Sequence, residues 1–153
     1  MKKIIGVIGK GDSNEEDCRI AHEVGEEIAR NGFTLLTGGM GGVMEAACRG
    51  SKSAGGTTIG ILPGSSKSDC NTYVDYPIVT GMGHGRNIIV AGSSDAIIAI
   101  GGSFGTLSEI AFALRLNIPI IGLNTWDVST DIKKAESAQE ALLLAIKLVD
   151  SNN

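Results

Sequence analysis

A glycine-rich turn in the second half of this 153-residue chain has the residue types that hold a phosphate group. It follows the apolar run 95–100, precedes a segment of helical periodicity, and consists of Gly101, Gly102, Ser103, Phe104, Gly105 and Thr106. Glycines let backbone N–H groups approach an anion closely, and the Thr106 hydroxyl adds a donor. Because the following helix directs its positive dipole end at the same position, the turn predicts a phosphate site.

A second turn of the same kind follows the β-like run 33–37 and contains Gly38, Gly39, Gly41 and Gly42. Two such turns in one small chain predict one phosphorylated, nucleotide-like ligand. An alternative for these four glycines is tight packing of a helix on a strand. After the first strand, Gly9 and Lys10 offer a backbone turn and a cation to the same ligand, although a solvated loop lysine is the favoured interpretation of Lys10.

The elements that must position these turns form an alternating pattern. Short runs rich in Ile, Val, Leu and Thr alternate with helical segments, which predicts a Rossmann-like, doubly wound α/β fold whose mostly parallel sheet is flanked by helices. The six predicted strands are residues 3–9, 33–37, 57–62, 76–79, 95–100 and 119–123. In such a sheet ligands bind beyond the carboxyl ends of the strands, so the loops that follow four of these strands are predicted to line one crevice.

The helix boundaries are indicated by capping residues. Ser13 with Glu16 three residues later predicts a capping box at the start of the first helix, which ends at Asn31-Gly32. The last helix is predicted over about residues 137–149. The length fits one domain over residues 1–150, followed by a tail at 151–153.

Composition excludes several classes of function. The chain is 42% hydrophobic and 20% charged, and it lacks an apolar run near the roughly 18 residues that span a bilayer, so we expect a cytoplasmic protein without a membrane partner. The net charge of −4 makes nucleic acid an unlikely main partner. Three separated cysteines and two histidines form no metal motif, and we expect no required cofactor. The spacing G-x-G-x-x-G is absent from residues 6–11, which disfavours an NAD dehydrogenase.

Three motifs together carry a family resemblance: G-G-M-G-G-V-M-E at 38–45, G-H-G-R-N at 83–87 and G-G-S-F-G-T-L-S-E at 101–109. The set resembles the LONELY GUY superfamily, whose members have often been labelled possible lysine decarboxylases. The resemblance implies a Rossmann-like homodimer that hydrolyses the N-glycosidic bond of nucleoside 5′-monophosphates, with Arg86 and Glu109 as catalytic residues. A fixed guanidinium suits a departing base, and a carboxylate suits a sugar cation or an attacking water.

Three positions depart from the hydrolase pattern. Gly101 replaces a proline, Ser103 replaces a glycine, and Asn87 stands where the hydrolases usually carry lysine. These differences are similar to the branch of molybdenum cofactor carrier proteins, which hold a pterin phosphate without transforming it. We therefore expect binding of a nucleoside monophosphate or a molybdopterin-type ligand, with phosphoribohydrolase activity as the alternative. No lysine has the context of a pyridoxal Schiff base, so lysine decarboxylation is not expected.

Two further expectations concern the segment after the glycine-rich turn. Thr106 and Glu109 also fit a T-x-x-E capping box, so Glu109 has a structural alternative to a catalytic role. Residues 105–116 carry more apolar surface than one stripe facing a sheet requires. We therefore expect a homodimer, or a higher even oligomer, through this helix and the helix over about residues 86–91.

Overall fold

The structure, a computed structural model, describes residues 1–151. These residues form seven strands: β1 (Ile4–Gly9), β2 (Thr34–Thr37), β3 (Thr58–Leu62), β4 (Tyr76–Val79), β5 (Ala96–Ile100), β6 (Ile120–Leu123) and β7 (Ile132–Lys134). They also form five α-helices: α1 (Glu15–Arg30), α2 (Val43–Ser53), α3 (Asn87–Gly92), α4 (Phe104–Arg115) and α5 (Ala138–Ser151).

The strands form one parallel sheet in the order β4-β3-β2-β1-β5-β6-β7. The predicted Rossmann-like α/β fold is therefore confirmed. Because the chain starts at the centre of the sheet and builds outward in both directions, the strand order reverses between β1 and β5. At that point Gly9 pairs with Ile100, and the loops that follow them open at the same edge of the sheet.

Helices cover both faces of the sheet, as the alternation of side chains along a strand requires. Within β5, Ile98 and Ile100 pack into the core under α1, α2 and α5, whereas Ile97 and Ala99 pack into the core under α3 and α4. All four side chains are fully buried. The central strands read as continuous apolar runs for this reason.

The residue that caps the N-terminus of α1 differs from the prediction. Its N-cap is Asn14, whose Oδ1 accepts a hydrogen bond of 2.8 Å from the Asp17 backbone N–H. The predicted capping box of Ser13 with Glu16 is therefore wrong. The Ser13 hydroxyl instead donates to Asp17 Oδ2 at 3.3 Å, because a neighbouring carboxylate is within its reach.

Two further differences lie in the last third of the chain. The strand β7 was not predicted, since it has three residues and two of them are exposed lysines, which gives no apolar run. Helix α5 continues to Ser151, one residue into the predicted tail, and the rest of that tail lies outside the described residues. No helix within residues 1–151 is long and apolar enough to cross a membrane.

Candidate functional site

The β5–α4 turn, residues 101–106, leaves the central strand β5 at the point where the strand order reverses. Gly101 has a φ of 54° and Gly102 a φ of 130°, and both values favour glycine strongly. Ser103 is the N-cap of α4 and forms a reciprocal capping box with Thr106, in which the Ser103 N–H donates to Thr106 Oγ1 at 3.3 Å. The turn is thus a tight connection that ends directly on a helix N-terminus.

Side chains from the loop after β6 hold the carbonyl groups of this turn. Thr125 Oγ1 donates to the Gly101 carbonyl oxygen at 2.6 Å, and Trp126 Nε1 donates to the Ser103 carbonyl oxygen at 3.1 Å. The N–H groups of Phe104 and Gly105 have no acceptor within α4, because they lie in its first turn. The turn therefore directs its acceptors toward the β6 loop and offers two donors at the positive end of a helix.

Close packing explains several glycines of the second turn. A Cβ added to Gly42 would overlap the carbonyl oxygens of Lys10 and Gly11, and a Cβ at Gly9 would lie 2.5 Å from Val43 Cγ1. The Val43 N–H donates to the Lys10 carbonyl oxygen at 3.1 Å. The loops after β1 and β2 are therefore in backbone contact, which supports the packing alternative for these glycines.

The remaining residues of these two loops differ in accessibility. Gly38 and Gly39 are buried, Gly41 is half-buried, and the Lys10 side chain is exposed at the edge of the sheet. The loops after β1, β2 and β5 thus lie at one edge of the sheet. Contact of Lys10 or Gly41 with a ligand stays a prediction.

Arg86 and Glu109 come together in the structure, although 23 positions separate them in the sequence. Both are buried, with 8% and 6% of their surfaces exposed, and Arg86 Nη1 lies 4.0 Å from Glu109 Oε1. Arg86 Nε donates to the Ile61 carbonyl oxygen at 2.9 Å, and Nη2 donates to the Gly38 carbonyl oxygen at 3.4 Å. The guanidinium therefore links the ends of β2 and β3 to helix α4.

Asn87 extends this connection to the β5–α4 turn. Its Oδ1 accepts a hydrogen bond from Arg86 Nη1, and its Nδ2 donates to Ser108 Oγ at 2.9 Å. The Ser108 hydroxyl donates in turn to the Gly105 carbonyl oxygen at 2.6 Å. Asn87 therefore connects Arg86 to the first turn of α4 by accepting one hydrogen bond and donating another. A lysine at this position could not reproduce this connection because it has no acceptor.

The capping alternative for Glu109 is wrong. Helix α4 begins at Phe104 with Ser103 as its N-cap, so Glu109 lies in the second turn and cannot reach the cap. Burial raises the pKa of Glu109 to about 8, and the nearby Arg86 guanidinium opposes this shift. Burial also lowers the pKa of Arg86. Burial therefore favours the protonated form of Glu109, a form that donates a proton more readily than it stabilises a cation.

A cavity of about 490 Å³, called here the turn cavity, opens beside the β5–α4 turn. It is lined by Asp17, by residues 101–102 and by residues 124–127. An adjoining cavity of about 560 Å³ shares residues 124–127 and extends over β7. Residues 1–151 contain no group of three or more His, Cys, Asp or Glu residues that could hold a metal ion.

The sequence prediction missed Asp17, Thr125 and Trp126. The single tryptophan follows a predicted strand, where loops carry function in this fold, and that position was a usable signal. Asp17 gave no such signal, because a carboxylate in the first turn of a helix is ordinary. Only the packing of α1 against the β5–α4 turn shows its position.

Comparison with known proteins places these features in context. A family model described as "LDcluster4: SLOG cluster4 family" matches residues 2–151. An "uncharacterized protein" of Archaeoglobus fulgidus is 48% identical over 138 residues, which cover 90% of this chain and 91% of that protein. A cytokinin riboside 5′-monophosphate phosphoribohydrolase of Mycobacterium tuberculosis is 35% identical over 105 residues, which cover 64% of this chain and 54% of the enzyme.

Two solved structures are similar over nearly the whole chain. The molybdenum cofactor binding protein of the phototrophic bacterium Rippkaea orientalis gives a TM-score of 0.93 at 40% identity, covering 97% of this chain and 98% of that one. The molybdenum cofactor carrier protein of Chlamydomonas reinhardtii gives 0.91 at 38% identity, covering 98% and 99%. The predicted resemblance to the carrier-like branch is therefore confirmed.

The raised pKa of Glu109 predicts a pH-dependent stability. Its folded pKa of about 8 exceeds its ordinary value of 4.5, so the folded protein holds a proton that the unfolded chain releases between these values. The free energy of unfolding should therefore fall with rising pH in this window, by about 1.4 kcal/mol per pH unit at most from this group. Glu109→Gln, which does not titrate, should lose this component.

Urea unfolding of the wild type and Glu109→Gln from about pH 5 to pH 8 measures the effect. The stability advantage of the variant should grow as the pH rises. Glu136→Gln, at an exposed position, is the matched control and should follow the wild type. Parallel pH profiles for the wild type and Glu109→Gln would contradict the assignment.

Proposed function

The chain belongs to the SLOG cluster4 family, and from that membership we propose that it binds a phosphorylated, nucleotide-like small molecule without cleaving it. The ligand is a nucleoside monophosphate or a molybdopterin-type cofactor, held in the manner of a carrier. The observation that carries this proposal is the β5–α4 turn, whose acceptors are occupied by Thr125 and Trp126 while the Phe104 and Gly105 N–H groups remain at a helix N-terminus. Similarity to two proteins named for binding or carrying the molybdenum cofactor supports it.

The environment of Arg86 favours binding over hydrolysis. Each of its three guanidinium nitrogens donates to an acceptor inside the protein, namely the Ile61 and Gly38 carbonyl oxygens and Asn87 Oδ1, which uses three of its five N–H groups. A group that stabilises a departing base must present its charge to the ligand in the transition state. In this chain Arg86 instead fixes the ends of two strands, which is a structural role.

If the phosphate binds at the β5–α4 turn, a large side chain at position 105 should weaken ligand binding. A Cβ added there has only Ser103 Oγ nearby, at 3.9 Å, so the fold accommodates a larger residue. Gly105→Leu should leave the melting temperature nearly unchanged while the new side chain covers the two N–H groups. Calorimetry with GMP should show at least about a tenfold loss of affinity, the order expected when charge-assisted hydrogen bonds are lost.

Gln139→Leu is the matched control for this variant. Residue 139 is the second residue of α5, as residue 105 is of α4, and it is exposed on a helix away from the turn. It should bind GMP like the wild type. Unchanged affinity in Gly105→Leu would place the phosphate elsewhere.

Hydrolysis of a nucleoside monophosphate is the second candidate, and the proximity of Arg86 to Glu109 favours it. A relative named as a phosphoribohydrolase supports the same possibility. We expect no release of ribose 5-phosphate from AMP or GMP above the rate in buffer, measured by chromatography of the products. Release that Glu109→Gln suppresses by orders of magnitude, with little change in affinity, would establish the hydrolase instead.

The proposed assembly is a homodimer through α3 and α4. Ile88 on α3 and Leu116 at the end of α4 leave 41% and 44% of their surfaces exposed on the same side of the sheet. A two-fold contact would bury both residues against their own copies. Light scattering at micromolar concentration should give twice the mass of 15.8 kDa, and the mass of one chain would contradict the assembly.

A further inference from the structure

We propose that the turn cavity is the subsite for the ring of the ligand, and that it selects a 2-amino-4-oxopyrimidine edge, as found in guanine and in pterins. This inference rests on the proposed function, to which it adds the identity of the ring. Three observations on the same side of the β5–α4 turn support it: the position of the cavity, an aromatic pair and a carboxylate without a cationic partner.

The cavity is placed so that one ligand can occupy it and the turn together. Gly101 and Gly102 line it directly, and the N–H groups of Phe104 and Gly105 follow within the same turn. The turn cavity alone, at about 490 Å³, exceeds what a phosphate fills and lies in the range of small-molecule sites. A phosphate on the turn therefore leaves room for an attached ring beside Trp126.

Trp126 lines the turn cavity, and Phe104 lies next to it outside the lining residues. Phe104 and Trp126 stack with ring centroids 5.9 Å apart and an interplanar angle of 27°. The Trp126 indole is held by its hydrogen bond to the Ser103 carbonyl oxygen, whereas Phe104 leaves 80% of its surface exposed. An exposed phenylalanine beside a phosphate turn has no role in the core. Phe104 has a role if it and Trp126 provide a stacking surface for a flat heterocycle.

The carboxylate of Asp17 lies against the backbone of the turn. A Cβ added to Gly101 would overlap Asp17 Oδ2, so the two groups are in close proximity. Asp17 Oδ2 accepts hydrogen bonds from Ser13 Oγ at 3.3 Å and from Asn14 Nδ2 at 3.2 Å. Both donors are neutral, and within the described part of the chain no basic side chain pairs with Asp17. Asp127, the other carboxylate of the cavity, pairs with Lys134 at 2.7 Å.

The negative charge of Asp17 affects which ligands the turn cavity can select. A negative group beside a phosphate turn opposes a bare anion, so Asp17 favours a ligand only if that ligand also presents N–H donors. The ring N–H and the 2-amino group of guanine or a pterin form a parallel donor pair that matches the two oxygens of a carboxylate. Adenine presents an acceptor and one amino group on the corresponding edge, which a carboxylate cannot satisfy.

The test compares GMP, AMP and inorganic phosphate by calorimetry on the wild type, Asp17→Asn and the charge control Asp150→Asn, which lies at an exposed position of α5. The wild type should bind GMP about tenfold or more tightly than AMP, the range expected for a bidentate contact. Asp17→Asn should weaken GMP binding by a similar factor and strengthen inorganic phosphate binding. A merely structural role of Asp17 would instead weaken all three ligands together.

The outcomes separate this inference from the proposed function. Equal binding of GMP and AMP that Asp17→Asn does not change, while Gly105→Leu abolishes both, would overturn the ring subsite and retain the phosphate site. Loss of all three ligands in Asp17→Asn would also overturn the subsite. If the wild type bound none of the three, the nucleoside monophosphate site at the turn would be overturned, and the ring subsite with it.

Discussion

The candidate phosphate site requires that the carbonyl groups of the β5–α4 turn point away from the position of the anion. A turn that joins a buried strand to a helix has both backbone carbonyl oxygens and backbone N–H groups. An anion accepts hydrogen bonds from the N–H groups and is repelled by the carbonyl oxygens. Thr125 and Trp126 donate to the Gly101 and Ser103 carbonyl oxygens from the loop after β6. The first N–H groups of α4 have no acceptor within the helix. The neighbouring strand β6 is therefore as much a part of the candidate site as β5.

Much of the architecture could be predicted from the sequence, because the central strands are apolar on both faces and alternate with helices. The turn at 101–106 was also predictable, since an apolar strand followed by glycines and a helical segment indicates a tight connection that requires positive φ values. The predictions failed at one local choice of capping residue and at one pairing between two strands. Asn14 rather than Ser13 caps α1, and the strand β7 exists only because its backbone pairs with β6.

The residues that depart from the hydrolase pattern have physical reasons in this fold. Gly101 has a φ of 54°, which proline cannot adopt because its ring fixes φ near −65°. Asn87 accepts from Arg86 and donates to Ser108, and thereby connects a buried guanidinium to α4. These substitutions are consistent with one another. Together they fit a role for Arg86 and Asn87 in connecting the ends of β2 and β3 to α4.

The most direct test of this account is a crystal structure of the protein with GMP bound. We expect the phosphate oxygens to lie about 3 Å from the backbone nitrogens of Phe104 and Gly105, with Arg86 still bonded to the Ile61 carbonyl oxygen. A phosphate held by the Arg86 side chain, with the N–H groups of the turn facing water, would contradict the account.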